Sequence, residues 1–402
     1  MKKQFFLDSL AFIFMTILST TYLDLGSWYN RNLIISFIYI YFLFRILFDI
    51  FVRKVSFTSS KIICSILLLS VVSSLWSETF RYSLLTSLLF LALPTFIIIY
   101  IANIYSFNKV MSLTNYAAGI MVVLSIVFIF FFPEYGIESG IHEGAWKGIF
   151  ASKNNMALSI SFLSISTLYL FVNSKNRTFK TFYAIQILIQ LFLIFKTTST
   201  TGIVVLIFLI ACYIFSTFFR RIKNIYIRLS LLSFSGIFVF LLSYHLIINI
   251  SDLVSRFGKD MTFTGRDAIW EACIILIKQS PFLGYGFGGV YKENTYTKEF
   301  IDSYINWELI GGAHNGYLDL LLNLGIFGFI LVTFAAIILV VRNFKLLSLD
   351  NQLKNYIIYI YMIFILIYNF QESAFLKENY MLWNYFVYFY ILIKVEKIKR
   401  KI

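Results

Sequence analysis

Long apolar runs, separated by short polar segments, dominate the chain from end to end. Many of these runs approach 20 residues, the length at which a helix crosses the hydrocarbon core of a bilayer. They predict twelve spanning helices near residues 5–22, 33–51, 61–76, 83–102, 112–132, 155–173, 181–195, 202–218, 229–249, 317–341, 355–370 and 380–393. Because backbone polar groups must be paired inside lipid, such a chain is expected to be all-α. The prediction is a polytopic membrane protein in which residues 1–402 form a single integral domain.

The distribution of lysine and arginine predicts which loops are cytoplasmic. Alternate connections are basic: residues 220–228 hold four lysines and arginines, and residues 394–401 hold five. The remaining loops carry most of the acidic residues. Since cytoplasmic loops are enriched in Lys and Arg, both termini are predicted to be cytoplasmic, which requires an even number of spans. The segment after Met1-Lys2-Lys3 lacks a small-residue cleavage site and is interpreted as the first span, not as a signal peptide.

Composition excludes several classes of protein. Hydrophobic residues make up 59% of the chain and charged residues 13%, whereas soluble proteins carry about 25% charged residues. A soluble enzyme and a disordered chain are both excluded. The net charge of +14 would suggest nucleic acid in a soluble protein, but here the bases follow membrane topology, so no nucleic-acid partner is expected. The three cysteines and three histidines lack zinc spacing, and we predict no metal and no cofactor.

Two long polar segments on the predicted outer side concentrate the candidate chemistry. One covers residues 133–154, and the larger loop covers residues 251–316 between the ninth and tenth spans. Within the larger loop, Thr264-Gly265-Arg266-Asp267 matches a capping box and predicts a short amphipathic helix that ends near Pro281. Arg266 would then lie in the first turn of that helix, where free N–H groups and the helix dipole favour an anion.

Basic residues on the outer side form the predicted binding site. They balance neighbouring acids or contact lipid headgroups in one interpretation, and bind a phosphorylated substrate in the other. The sixth and tenth spans begin on this side, so their positive helix ends face the same solution. We predict a single anion pocket composed of Lys147, Lys153, Asn154, Arg256, Arg266, His314 and Asn315. His314 is the candidate general base, with Asn315 and Asp319 near enough to orient it; the alternative is an interfacial histidine that caps the tenth span.

Four segments of the sequence resemble the superfamily of O-antigen ligases and Wzy-type polysaccharide polymerases, most specifically those around Arg266 and His314. The segments are residues 147–155; residues 256–266 with Trp270 and residues 281–286; residues 313–317 with Gly325 and Gly328; and residues 369–373 with Trp383. The resemblance is greatest to succinoglycan-type exopolysaccharide and capsule polymerases. It implies a bacterial inner-membrane enzyme that joins polyprenyl-diphosphate-linked oligosaccharide repeats at the outer face, without a metal and with inversion.

The resemblance also implies roles for individual residues and partners. His314 would help to activate the acceptor hydroxyl, and Arg266 would hold the diphosphate. The family often has arginine where this chain has Lys147, whose ammonium keeps the charge but loses bidentate geometry. Expected partners are the lipid-linked donor, a glycan acceptor, the bilayer, and a chain-length regulator and flippase of the same pathway.

Three functions are compatible with these sequence features. A polymerase is preferred to an O-antigen ligase that transfers the glycan to lipid A–core, or to a related enzyme that modifies pilin. A transporter or flippase of lipid-linked sugars is the more distant alternative, because the predicted spans contain few of the mid-membrane ionisable groups typical of coupled transporters.

Overall fold

The computed structural model describes residues 2–21, 31–199, 202, 210–211, 213–214, 217–234, 264–305, 311–370, 372–378 and 380–399. In these residues the secondary structure is helical, apart from one isolated antiparallel bridge between Ile137 and Trp146. The helices are α1 (Lys2–Leu18), α2 (Arg31–Phe51), α3 (Lys61–Val72), α4 (Phe80–Leu85), α5 (Leu93–Ile104), α6 (Phe107–Phe131), α7 (Pro133–Gly136), α8 (Lys153–Asn173), α9 (Arg177–Lys196), α10 (Ile225–Phe234), α11 (Thr264–Gln279), α12 (Tyr296–Ile305), α13 (Gly316–Leu349), α14 (Leu353–Tyr368) and α15 (Met381–Lys399).

Most of the predicted spans correspond to observed helices. A 3-10 turn, Ser73–Trp76, extends α3, and a π-helical stretch, Thr86–Ala92, joins α4 to α5. Six helical segments among the described residues are long and apolar enough to cross a bilayer: Arg31–Phe51, Phe80–Ile104, Phe107–Phe131, Lys153–Asn173, Arg177–Lys196 and Gly316–Leu349. Shorter apolar helices accompany them. The all-α membrane architecture is therefore confirmed, whereas the count of twelve stays a prediction because the eighth and ninth spans fall mostly outside the described residues.

The chain divides into two compact units, each built from three stretches of sequence. The first unit comprises Met1–Ser56, Ile104–Leu229 and Leu346–Phe364. The second comprises Phe57–Asn103, Ser230–Lys345 and Ile365–Ile402.

A buried network of charges holds the first helices of the first unit together. Arg45 Nη1 lies 2.5 Å from Asp49 Oδ1, and Arg45 Nε lies 3.4 Å from Asp8 Oδ1. The hydroxyls of Tyr41 and Tyr105 donate to the Asp8 carboxylate at 2.5 and 2.8 Å. Both acidic side chains are only 2% exposed. Since burial of an unpaired charge is costly, this network ties α1 and α2 into one packed pair.

The second unit is organised around a break in its longest helix. Within α13, Gly325 has φ 60° and ψ −163°, so the helical hydrogen bonds are interrupted there. The segment that follows α11 supplies replacement partners for the exposed backbone. Three hydrogen bonds join the two segments: Tyr285 N to Leu322 O at 2.8 Å, Gly286 N to Asn323 O at 3.0 Å, and Ile326 N to Pro281 O at 2.8 Å. The break is thus covered by the protein's own backbone, as a membrane helix requires.

Hydrogen bonds also join connections that the charge pattern assigns to the same side of the membrane. In the second unit Tyr296 N donates to Glu78 Oε2 at 2.8 Å, and both residues belong to predicted outer connections. In the first unit Asn351 Nδ2 donates to Arg220 O at 2.8 Å, and both belong to predicted inner connections. Contacts of this kind support the alternation of the loops; which side is cytoplasmic stays a prediction.

Replacement of Gly325 by alanine should destabilise the second unit. An alanine Cβ at this position would lie 2.2 Å from Phe282 O, and φ of 60° is unfavourable for any residue with a Cβ. We expect a loss of about 2 kcal/mol or more, measured as a lower unfolding temperature of the detergent-solubilised protein.

Gly119→Ala, within α6, is the matched control. The nearest atom to its added Cβ would be Gln186 Nε2, at 3.7 Å. This variant should unfold at or slightly above the wild-type temperature, since alanine is the better helix former. Equal unfolding temperatures for Gly325→Ala and the wild type would contradict the assigned role of the break.

Candidate active site

His314 lies in a tight turn immediately before α13. Its backbone adopts the left-handed conformation, with φ 49°. The next residue, Asn315, caps the helix: its Oδ1 accepts from Tyr317 N at 3.1 Å and from Leu318 N at 3.4 Å. The side chain of His314 is 42% exposed, whereas Asn315 is buried. The turn therefore presents the imidazole to solvent while Asn315 fixes the start of the helix. Substrate binding by Asn315 stays a prediction.

Glu372 is the partner of this histidine. Its Oε2 lies 3.0 Å from His314 Nδ1, and its side chain is 14% exposed. A carboxylate accepts hydrogen bonds only, so the contact places the proton of a neutral imidazole on Nδ1 and leaves Nε2 as the ring's acceptor. This arrangement orients a histidine to take a proton from a substrate hydroxyl.

The buried carboxylate of Asp319 fixes the chain on both sides of this pair. Its Oδ1 accepts from the backbone N of Ala313, the residue before His314, at 3.0 Å. The same Oδ1 accepts from the hydroxyl of Tyr291, and Oδ2 accepts from the hydroxyl of Ser373, the residue after Glu372. One side chain thus holds together the two segments that carry the histidine and the glutamate. That Asp319 orients His314 stays a prediction.

A close approach between Gly316 and Asn369 completes the turn. Gly316 N donates to Asn369 O at 2.7 Å, and a Cβ on Gly316 would lie 2.0 Å from Asn369 Oδ1. The same Oδ1 accepts from Ala374 N at 3.1 Å and from Phe375 N at 2.8 Å. Only glycine leaves room for this packing, which explains why a glycine follows His314-Asn315 in the sequence.

Helix α11 contacts the same turn. Its described part runs from Thr264 and includes the backbone of Arg266. The side chain of Arg266 and the residues before Thr264 are outside the described part of the structure, so the capping box and the place of Arg266 in the first turn stay predictions. One turn further, Trp270 Nε1 donates to Ala313 O at 2.9 Å. Buried residues of α11 pack with Ala313 and Leu322 in one core. The structure therefore joins α11 to the His314 turn through Trp270.

Within that core, burial raises the pKa of the Cys273 thiol to about 12. A thiol in this environment stays protonated and is a poor nucleophile. Cys273 is fully buried and acts as a small apolar packing residue.

The basic residues of the other outer segment lie in the first unit. Lys147 Nζ is 4.0 Å from Glu138 Oε2, and Lys153 N donates to Glu138 Oε1 at 2.8 Å. Asn154 Oδ1 accepts from Ser199 Oγ at 2.7 Å. The negative charge of Glu138 therefore partly balances the positive charge of Lys147, as expected if the outer basic residues pair with neighbouring acids. That these residues share one pocket with the His314 turn stays a prediction.

Arg256 lies outside the described residues. Among the residues that are described, no group of three or more His, Cys, Asp or Glu side chains is placed to hold a metal ion.

Comparison with known proteins shows what part of this chain is similar to. Residues 185–333 match the family model Wzy_C, described as O-Antigen ligase. The resemblance to the superfamily of O-antigen ligases and polymerases is confirmed. The matched region contains α11, α12 and His314, together with the break in α13, but ends before Glu372. The match thus includes the His314 side of the candidate site but not the segment that carries Glu372.

A curated relative supports the same assignment. The Exopolysaccharide production protein ExoQ of Rhizobium meliloti (strain 1021) is 27% identical over 110 residues. The alignment covers 27% of this chain and 25% of ExoQ. This chain thus matches about a quarter of the relative's length.

A second acidic residue, Glu378, lies in a predicted outer connection and is also in an unusual environment. Its Oε1 lies 3.0 Å from where a Cβ on Gly288 would stand, so the carboxyl packs against the glycine-rich turn that follows α11. Burial raises its pKa to about 7, opposed by the positive charges of Lys377 and Lys292. Glu378 is therefore expected to titrate near neutral pH.

This titration predicts a pH-dependent stability. The pKa of Glu378 is raised by folding, so its contribution is fully present below about pH 4.5, the unfolded value, and is lost as the pH rises through about 7. Glu378→Gln should remove this dependence, raising the unfolding temperature relative to wild type at pH 8 but not at pH 5. Parallel unfolding profiles of the two proteins across this range would show that the carboxyl is not buried as described.

Proposed function

We propose that this protein is a membrane glycosyltransferase that polymerises polyprenyl-diphosphate-linked oligosaccharide repeats at the outer face of the bacterial inner membrane. The observation that carries the proposal is the contact between His314 and Glu372 at the start of α13. This contact orients His314 as a base beside α11, the helix that contains Arg266. The Wzy_C match over this region and the likeness to ExoQ support a role in polysaccharide assembly.

The chemistry is a displacement at the anomeric carbon of the donor. His314 Nε2 takes the proton from an acceptor hydroxyl while its oxygen attacks that carbon, and Glu372 stabilises the imidazolium through Nδ1. The bond from the anomeric carbon to the diphosphate oxygen breaks, and the lipid diphosphate leaves with the electron pair. Attack from the face opposite the leaving group inverts the anomeric configuration.

Basic side chains stabilise the leaving group in this proposal. Arg266 would bind the diphosphate, whose charge is also favoured by the N-terminal end of α11. Lys147, Lys153 and Arg256 are proposed to contribute further positive charge, with Asn154 and Asn315 as polar contacts to substrate. In this proposal the arginine and lysine side chains of the chain itself stabilise the negative charge on the diphosphate oxygens.

An O-antigen ligase is the second candidate, and the description of the matching family model favours it. A ligase would perform the same displacement with a different acceptor, the lipid A–core, in place of a second lipid-linked repeat. The polymerase is preferred because the likeness to ExoQ points to exopolysaccharide production.

A transporter of lipid-linked sugars is less well supported. Broken helices in transporters line a substrate path near the middle of the membrane. Here the break at Gly325 is paired with the segment around Pro281 to Gly286, so its backbone groups are already bound within the protein.

Variants of the histidine pair test the chemistry. In a strain that lacks the chromosomal copy, His314→Ala should abolish surface polysaccharide, because removal of a general base typically costs 10²–10⁴-fold in rate, about 3–5 kcal/mol. Glu372→Gln should lower the yield by about 10- to 10³-fold, since an amide at this position no longer fixes the tautomer. The measurement is polysaccharide yield normalised to the amount of protein in the membrane.

His142→Ala is the matched control, because His142 is an exposed histidine in the other outer segment. It should leave the yield unchanged. Wild-type yield from His314→Ala would refute its role as the base.

A gel of the surface glycan from the deletion strain separates polymerase from ligase. Loss of the ladder, with single repeats still attached to their acceptor, is the result expected of a polymerase. Accumulation of long, unattached lipid-linked chains would instead identify a ligase.

A further inference from the structure

Helix α12 carries three aromatic side chains along one side, of which Phe300 is partly buried and packs against the core. Tyr296, Phe300 and Tyr304 are spaced by four residues, which places them one above the other along the helix. Successive ring centroids are 6.1 Å apart, and the rings of Phe300 and Tyr304 are stacked at 26°. Tyr296 is 48% exposed and Tyr304 38% exposed. On the opposite face Ile301 is buried against α11.

Polar groups hold the edges of these rings. The hydroxyls of Tyr285 and Tyr296 both donate to Gln279 Oε1, each at 3.2 Å. At the other end, the Tyr304 hydroxyl lies near the Glu271 carboxylate. We call these six side chains the aromatic track: Glu271, Gln279, Tyr285, Tyr296, Phe300 and Tyr304. The track therefore presents fixed ring faces with hydrogen-bonding groups beside them.

The track runs along α11 towards the candidate active site. Tyr296 lies beside Gln279 and Tyr304 beside Glu271, so α12 is antiparallel to α11. The eight residues from Gln279 to Glu271 cover about 12 Å of helix. Immediately before Glu271 comes Trp270, which binds Ala313 O next to His314. The Glu271 end of the track is therefore the end that lies nearer to the His314 turn along α11.

The charges near the track favour an uncharged polyol over an anionic lipid headgroup. Helix α12 contains two acids, Glu299 and Asp302, and one lysine, Lys298, whose ammonium is bound to Asp302. Helices that lie on bilayers instead carry an excess of lysine and arginine on their polar face. The C–H faces of sugar rings pack on aromatic faces, and their hydroxyls suit the amide and carboxylate oxygens alongside.

From these observations we infer that the aromatic track is a binding site for the oligosaccharide part of the substrate. The inference rests on the proposed function, in that it names the track's ligand as glycan. The sugar rings stack on Tyr296, Phe300 and Tyr304, and the chain is thereby guided along α11 to the His314 turn. Phe300 contributes a ring, and the two tyrosines contribute both a ring and a hydroxyl.

Oligosaccharide binding by the full-length solubilised protein tests the inference. The probe is the mixture of oligosaccharides released by partial acid hydrolysis from the surface polysaccharide of the strain that encodes this chain. The double variant Tyr296→Ala with Tyr304→Ala should bind it about tenfold more weakly, because two stacking contacts are removed. Replacement of both tyrosines by phenylalanine should retain most of the affinity, since the rings remain.

Tyr226→Ala is the matched control, because Tyr226 is an 80% exposed tyrosine of the first unit. It should bind the probe as the wild type does. Unchanged affinity in the double alanine variant would overturn the inference. Weaker binding of dihexanoyl phosphatidylglycerol, with oligosaccharide binding intact, would also overturn it and identify the track as a lipid contact.

His314→Ala separates this inference from the proposed function. That variant should bind the probe with wild-type affinity, because His314 is not part of the track. If His314→Ala still synthesises glycan while the double alanine variant loses binding, the proposed chemistry is refuted and the glycan-binding role of the track is retained. Blocked synthesis in His314→Ala, together with intact binding in the double variant, would refute the track alone.

Discussion

The need to pair every backbone polar group inside lipid governs the second unit. Helix α13 breaks at Gly325, and an unpaired break would leave amide and carbonyl groups without water. The segment from Pro281 to Gly286 provides those partners through its own backbone. Because this segment directly follows α11, the pairing fixes α11 against the first half of α13, which begins at the His314 turn. The position of the candidate base therefore depends on the hydrogen bonds that pair the broken helical backbone several turns away.

The site itself is assembled by buried acceptors that each bind several donors. Asp319 joins the residue before His314 to the residue after Glu372. The side-chain oxygen of Asn369 accepts from two backbone amides, and its backbone oxygen accepts from Gly316 N. Such networks are rigid because loss of any member leaves a buried polar group unsatisfied. A preorganised base requires this rigidity, since a proton is transferred only at hydrogen-bond distance.

Sequence patterns were sufficient for the helices and for parts of the site, but not for contacts between distant segments. Hydropathy predicts the spans because lipid selects for apolar length, and the amphipathic pattern correctly predicts a helix that ends near Pro281. The pairing of His314 with Glu372 joins residues 58 positions apart, and no local periodicity records such a contact. The break at Gly325 was likewise missed, since a glycine within an apolar run is common. Within α11 the apolar residue Ile274 is 43% exposed, because the core covers a narrower stripe of the helix than the apolar pattern suggests.

The charge network of the first unit has a consequence for how the chain enters the membrane. Asp8 belongs to α1, which is synthesised before α2, and its carboxylate is bound by Arg45 and Tyr41, both supplied by α2. Until α2 has emerged from the ribosome, that carboxylate lacks these two partners. Stable integration of α1 is therefore coupled to synthesis of α2, and the two are expected to leave the translocon as a hairpin.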